Sequence, residues 1–196
     1  MKSIVALLLI LSVVPAYSQQ TDTLWTHGLV AGLTLTQVSF TDWAAGGENA
    51  LAYSFSADGK SILNVGVWNW ENKYQFAFGQ TRLGDQELRK TDDKIDLSSI
   101  LTWKIGTFIN PYFGLTVKTQ FAKGFTYNAL GNKFEVSKFF DPAYITQSAG
   151  VGYQPSNIIK TRLGLALREI VTDDFPQYAN DPSSTDIRKV AVDGGL

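Results

Sequence analysis

The sequence has no cysteine, only one histidine and few charged residues. Of its 196 residues, 17 are Lys or Arg and 18 are Asp or Glu, so charged residues make up 18% of the chain, against about 25% in typical soluble domains. The lack of cysteine excludes disulfide frameworks, thiolate metal sites and cysteine nucleophiles. A single histidine excludes a metal centre with several imidazole ligands. The net charge of −1 argues against a nucleic-acid-binding protein, which normally has a basic excess. No motif predicts a cofactor.

The first 18 residues have the pattern of a secretory signal peptide. Lys2 supplies a positive charge, an apolar run of about 11 residues follows at 4–14, and the small residue Ser18 precedes Gln19. The run is shorter than the roughly 20 residues that a membrane-spanning helix needs. We therefore predict a cleaved signal peptide over residues 1–18, a β-barrel domain over residues 19–196, and export from the cytoplasm.

The rest of the chain is dominated by alternation of apolar and polar residues, which is the period of a β-strand. No segment shows a sustained helical stripe. The alternating segments lie at 29–35, 51–57, 68–78, 95–105, 113–121, 143–151 and 159–167. The pattern predicts an all-β protein with roughly eight strands, counted as segments of about ten residues.

The predicted connections alternate between short and long. Tight turns are predicted at Asp58-Gly59-Lys60, at 106–107 and at 154–157. Longer polar stretches separate them at 36–48, 79–93, 123–141 and 172–186. Short turns on one rim and long loops on the other are typical of bacterial outer-membrane barrels, so we predict an antiparallel up-and-down transmembrane β-barrel.

Alternate positions along a strand face the same side of a sheet, and we call each such set of positions a parity. The polar parity of these strands is rich in Gly, Ala and Ser, which suits the interior of a narrow barrel. Charged residues of the same parity are candidates for the barrel lumen: Glu71, Asp96, Lys104, Lys118, Arg162 and Arg168. The apolar parity carries Leu, Ile, Val, Phe and Trp, as a lipid-facing surface requires. Aromatic residues near the predicted strand ends suggest an interfacial girdle: Trp25, Trp68, Trp70, Tyr74, Trp103, Tyr112 and Tyr127.

A segment after the first strand reads Phe-Thr-Asp-Trp-Ala-Ala-Gly-Gly-Glu-Asn and ends at Asn49. Trp43, Gly46, Gly47 and Asn49 are candidates for a structural turn motif, since glycines admit positive φ in tight turns. With the segments at 69–74, 161–169 and 181–195, it resembles an uncharacterised Bacteroidota family, the domain of unknown function 3078. The resemblance implies an outer-membrane β-barrel, with outer-membrane lipid and the outer-membrane assembly machinery as partners. It implies no activity.

The last residues, Gly194-Gly195-Leu196, lack the aromatic end that outer-membrane barrels usually have. Alternation resumes at Val190 and Val192, immediately before the chain stops. We therefore expect a truncated reading frame and a barrel that is incomplete at its C-terminus.

The predicted function is a non-enzymatic structural or interaction role in the outer membrane. One alternative is a small pore, with Arg162, Arg168, Lys104 and Lys118 setting anion selectivity. Another is a soluble periplasmic barrel that binds an apolar ligand, with the apolar parity inside. A third is a lipid-acting enzyme that uses His27 as its base, although no Gly-x-Ser-x-Gly motif is present.

Two acidic pairs in predicted loops are also conceivable calcium ligands: Asp92-Asp93 and Asp173-Asp174. Neither has the spacing of a known calcium loop. We therefore predict no metal site.

Overall fold

The computed structural model describes residues 24–40, 47–106, 108–156, 158–180 and 189–195. The predicted signal peptide, Trp43 and Gly46 lie outside these ranges. Ten strands are present in the described chain: β1 (Trp25–Val38), β2 (Ala50–Val65), β3 (Trp68–Leu83), β4 (Arg89–Trp103), β5 (Ile109–Thr119), β6 (Gly124–Tyr127), β7 (Lys133–Ser137), β8 (Ala143–Tyr153), β9 (Thr161–Val171) and β10 (Val190–Gly195).

Eight of the strands form one antiparallel sheet in the order β1-β2-β3-β4-β5-β8-β9-β10. Each strand pairs with its neighbour in the chain, except that the β6–β7 hairpin is inserted between β5 and β8. The predicted all-β, antiparallel, up-and-down arrangement is therefore confirmed. Among the described residues β1 pairs only with β2 and β10 only with β9, so the sheet is not closed into a barrel.

The turn predicted at Asp58-Gly59-Lys60 is wrong, because β2 runs straight through these residues. Gly59 lies within β2 and is paired on both sides, with Leu29 on β1 and Tyr74 on β3. The chain reverses instead at Gly66, which has a φ of 53°. An Asp-Gly pair favours a hairpin only where the flanking strands can fold back on each other, and here the alternation continues unbroken across it.

Helical structure is confined to a single 3-10 turn at Pro176–Tyr178 within the described ranges. None of the helical residues described forms a segment long and apolar enough to cross a membrane. The described chain also has a very small interior. Its buried hydrophobic residues are Ala143, Phe175 and Ala179.

Strand register places the two parities on opposite faces of the sheet. One row across it runs through Leu29, Gly59, Tyr74, Leu97, Val117 and Ile145. The neighbouring row, on the other face, runs through Val30, Asp58, Gln75, Asp96, Lys118 and Tyr144. Because a slip of one residue would exchange the faces of a strand, this register fixes one continuous apolar face and one polar face.

The polar face is the concave face. Lys160 Nζ lies 3.8 Å from a carboxylate oxygen of Glu71, although Glu71 is on β3 and Lys160 precedes β9, four strands away in the sheet. At about 4.8 Å per strand, a flat sheet would hold the two backbones about 19 Å apart. A lysine and a glutamate side chain cannot bridge that distance together, so the sheet must curve toward its polar side.

Candidate functional site

Glu71 is the centre of a group of charges on the concave face. Its side chain is only 10% exposed, and three ammonium groups surround it. The carboxylate lies 3.4 Å from Lys60 Nζ, 3.3 Å from Lys73 Nζ and 3.8 Å from Lys160 Nζ. One negative charge thus faces three positive charges, which leaves an excess of positive charge around Glu71.

Asp96 and Lys118 form a second pair on the same face. They lie directly opposite each other on β4 and β5, and Lys118 Nζ is 3.3 Å from an Asp96 carboxylate oxygen. Lys104, just after the end of β4, has a different partner. Its ammonium group donates a hydrogen bond of 3.2 Å to the side-chain oxygen of Asn64.

The two arginines among the candidate lumen residues each contact a tyrosine ring. The guanidinium carbon of Arg162 lies 5.6 Å from the centre of the Tyr112 ring, and that of Arg168 lies 4.8 Å from the Tyr144 ring. Within the described chain neither arginine has a carboxylate oxygen within 4.0 Å. Among the described residues Arg162 and Arg168 therefore form no salt bridge with Asp96 or Glu71, and both carboxylates are paired with lysines instead.

Sequence reasoning grouped the six charged residues by parity, and the structure brings them to one surface. It did not find Lys60, Lys73 and Lys160 as partners of Glu71. The signal was present for Lys73 and Lys160, since both share the polar parity of their strands. Lys60 was obscured because the Asp-Gly-Lys sequence favours a turn, whereas the residue lies within a strand.

His27 lies on the opposite, apolar face. Its Nδ1 is 2.9 Å from the Ser61 hydroxyl oxygen, and its ring stacks on Trp25 with the ring centres 6.0 Å apart. A hydrolytic triad also needs a group that orients the imidazole. In the chain as described, Ser61 is the hydrogen-bond partner of His27 and no carboxylate contacts it, so the pair lacks that third member.

The turn motif after β1 is described at Gly47 and Asn49, whereas Trp43 and Gly46 lie outside the described residues. The Phe40 backbone N–H donates a hydrogen bond of 2.7 Å to the Asn49 side-chain oxygen. A β-carbon at Gly47 would come within 3.0 Å of the Phe40 ring. Asn49 and Gly47 thus hold the two ends of this connection together, and the carbonyl of Asn49 accepts a further hydrogen bond from Gly84.

Sequence analysis missed a group of polar contacts around Asp141, which is 4% exposed. Its carboxylate accepts hydrogen bonds from the Thr172 hydroxyl at 2.6 Å and from the backbone N–H groups of Asp173 and Asp174 at 3.1 and 2.9 Å. Burial by itself would raise the pKa of Asp141, but the hydrogen bonds from Asp174, Thr172 and Asp173 and the nearby Lys138 charge hold that pKa below its usual value.

Three of the four residues in the two acidic pairs that could have been calcium ligands have other partners in the structure. Asp93 accepts hydrogen bonds from Lys90 and from the backbone N–H groups of Phe121 and Ala122. Asp173 pairs with Lys189, and Asp174 pairs with Lys138. In the ranges that the structure covers, no three Asp, Glu or His side chains are grouped to hold a metal ion.

Comparison with known proteins gives one match. No curated protein and no solved structure matches the chain. The segments at 161–169 and 181–195, which sequence analysis included in its resemblance, lie beyond the region that matches. The resemblance is confirmed for the part of the chain that runs from the end of β1 into β6: residues 35–125 match the family described as "Protein of unknown function (DUF3078)".

Proposed function

We propose that this protein is an exported outer-membrane β-barrel protein with a non-enzymatic structural or interaction role. The observation that carries the proposal is the convex face of the sheet. Large apolar side chains on that face are exposed: Leu29 is 74% exposed, Leu163 is 74% exposed and Leu165 is 65% exposed. Exposed apolar patches of this kind require lipid or a partner to cover them.

A soluble sheet would cover such a face with a second layer. No described residue of this chain provides that layer, and the three buried hydrophobic residues, Ala143, Phe175 and Ala179, do not form a core for eight strands. Lipid supplies the missing cover in this proposal. Closure of the barrel would then satisfy the backbone groups at the sheet edges, as a membrane environment demands.

Most of the aromatic residues on the convex face lie in two groups, whereas Tyr74 of the predicted girdle lies between them, opposite Leu97. Trp68 stacks on Trp103 and Trp25 contacts Trp70 at the turn end, with ring centres 5.6 and 5.4 Å apart. Toward the other end lie Tyr53 and a group of phenylalanines: Phe55, Phe76, Phe78, Phe121, Phe139 and Phe140.

The spacing of these two groups suits a bilayer. On β3, Trp70 and Phe78 are eight residues apart, which is about 26 Å along the strand and about 20 Å along the membrane normal at a tilt of ~40°. The apolar band of an outer-membrane barrel is about 25 Å tall. Tyr112 of the predicted girdle belongs instead to the concave face, where it contacts Arg162.

The curvature supports this proposal over a soluble barrel that binds an apolar ligand. That alternative needs Leu163, Leu165 and Leu167 to face a cavity. The contact between Lys160 and Glu71 instead requires the charged face to be the concave one. A space enclosed by the sheet would therefore be lined by charged and small residues.

Fractionation of the full natural chain tests the proposal. We expect the protein to sediment with the outer membrane and to migrate faster on a detergent gel when it is not heated, because a folded barrel resists the detergent. Recovery in the soluble periplasmic fraction, with no change of mobility on heating, would overturn the proposal.

A pore is the second candidate, and it is favoured by the guanidinium groups of Arg162 and Arg168, which contact no carboxylate among the described residues. If the lumen is open, these groups set a preference for anions. In planar bilayers we expect anion-selective conductance whose selectivity falls in Arg162→Gln and Arg168→Gln. Lys123→Gln is the matched control, since Lys123 precedes β6 and pairs with Glu135 on β7, outside the eight-stranded sheet. Absence of channels in protein shown to be folded would reject the pore and leave the structural role.

A further inference from the structure

We propose that the turn end of the concave face is a binding site for a small multivalent oxyanion, with inorganic phosphate as the simplest member of the class. The site is a cavity of 400 Å³ between the ends of β3 and β4 and the ends of β8 and β9. Its polar lining includes Lys104, Lys160, Arg162, Asn69, Asn110 and Thr102.

The charged side chains that line this cavity are all positive. Three cationic side chains line it, and no carboxylate is among the described lining residues. The adjacent acid is Glu71, which is shared among Lys60, Lys73 and Lys160. The cavity and the adjacent group of charges at Glu71 therefore hold five cationic side chains and one carboxylate, and an anionic ligand would neutralise part of the excess.

Arg162 supplies the directional contact. Its guanidinium lies against the Tyr112 ring, which holds the planar group in place, and no described carboxylate uses its N–H groups. A guanidinium presents its donors as a fork that matches two oxygens of a phosphate or carboxylate. Lys104 and Lys160 add point charges on either side of the cavity.

The cavity is a cleft that opens to solvent, and Lys104, Lys160 and Arg162 are exposed in it. Several charged groups focus their field in a cleft with low-dielectric walls, and this raises the local concentration of counter-ions. The site lies on the face away from the exposed leucines, which favours a dissolved anion over the headgroup of a surrounding lipid. The inference goes beyond the proposed function, because it requires only that the sheet is folded.

Titration calorimetry tests the site on the full natural chain folded in zwitterionic detergent micelles, with inorganic phosphate as the probe at constant ionic strength. We expect saturable binding at pH 7.5 that weakens at least tenfold in Arg162→Gln. Lys123→Gln, the control at the β6–β7 hairpin, should bind as the unaltered protein does. The β-sheet signal in circular dichroism shows that each variant is folded, whether or not the protein is a membrane barrel.

Glu71→Gln provides a test in the opposite direction. Removing the one nearby carboxylate frees three lysines, so phosphate binding should tighten by about threefold or more. Lys104→Gln replaces Arg162→Gln if the latter does not fold. No saturable binding to the folded protein, or equal binding by the unaltered protein and the Arg162 and Lys104 variants, would overturn the proposal. Because folding is scored separately, that result is distinct from a failure of the membrane assignment.

Discussion

The carboxylate of Asp141 shows how a single residue can hold two distant connections together. It lies 31 to 33 positions before the three residues whose hydrogen bonds it accepts, in the segment that follows β9. The Thr172 hydroxyl in turn accepts a hydrogen bond of 3.2 Å from the Phe175 backbone N–H. Loss of this carboxylate would leave the buried Thr172 hydroxyl and two part-buried backbone N–H groups without this acceptor, which is costly.

Asp141→Ala should lower the free energy of unfolding by about 2 kcal/mol, since buried donors lose their partner. The measurement is urea unfolding of the protein in micelles, combined with limited proteolysis at residues 173–180. Asp85→Asn, in the exposed connection between β3 and β4, should leave both readouts unchanged. If the two variants behave alike, Asp141 does not hold this segment.

The pH dependence of the same group has a defined sign. The pKa of Asp141 is lower in the folded protein than the ordinary value of 3.8, so the folded state binds its proton more weakly than the unfolded state does. The stabilisation is complete above pH 3.8 and is lost as the pH falls from there through the folded pKa. Unfolding measured from pH 6 down to pH 2 should show this loss in the unaltered protein, and a smaller loss in Asp141→Ala.

No local pattern could have revealed this group. Asp141 precedes a proline and lies in a stretch that composition alone describes as loop, and its partners are separated from it by two whole strands. Parity, by contrast, is a local property. It placed Glu71, Asp96, Lys104, Lys118, Arg162 and Arg168 on one surface, but it could not say which lysine would reach which carboxylate.

The sequence pattern predicted which segments form strands, but it predicted the ends of those strands less well. Seven alternating segments correspond to β1–β5, β8 and β9, whereas the ends of β2 and β3 lie well beyond the pattern. Both strands continue through polar residues because each is paired along its whole length with its neighbour. The long connection predicted at 79–93 shrinks for the same reason to the few residues between Leu83 and Arg89.

Close approach of β8 and β9 gives a prediction at the level of these elements. Gly150 lies opposite Gly164, and a β-carbon at Gly150 would come within 2.1 Å of the Leu163 carbonyl oxygen. Gly150→Ala should therefore force the strands apart and cost about 1–3 kcal/mol, measured as a shift in the urea midpoint. Gly28→Ala on β1 is the control, since a β-carbon there would have no described neighbour within 4 Å. Equal midpoints would show that the sheet adjusts without cost.

At the scale of the whole described sheet, the convex face is apolar and exposed and the concave face carries the charged residues. Sequence alone indicated both surfaces, because each strand repeats the same two-residue period. It could not establish closure, since pairing between the first and last strands of a barrel depends on the curvature and shear of the entire sheet. The contact between Lys160 and Glu71 shows that the described sheet is curved. Pairing between β1 and β10, which would close a barrel, is not present among the described residues.

Leu97→Lys distinguishes lipid from water as the environment of the convex face. Leu97 is 42% exposed and lies midway between the rows of Trp70 and Phe78. In a bilayer a lysine at this depth should cost about 2–4 kcal/mol of folding free energy. In water an exposed substitution is usually within about 0.5 kcal/mol of neutral. Folding into lipid vesicles measures the difference, with Leu130→Lys in a loop as control. A neutral effect at Leu97 would contradict the membrane assignment.

The two-residue period that separates the faces also constrains how such a chain can change over generations. An insertion of one residue within β3 would turn every later side chain of that strand over, bringing phenylalanines among the lysines and charges to the apolar side. An insertion of two would preserve the pattern. The register break between Gly79 and Gln80 shows the exception. There β4 accommodates an extra residue, and Lys90 thereby shares a face with Asp93, with which it forms an ion pair of 2.6 Å. Length variation in this protein should therefore accumulate in the connections, and within strands it should occur in even steps or beside a bulge.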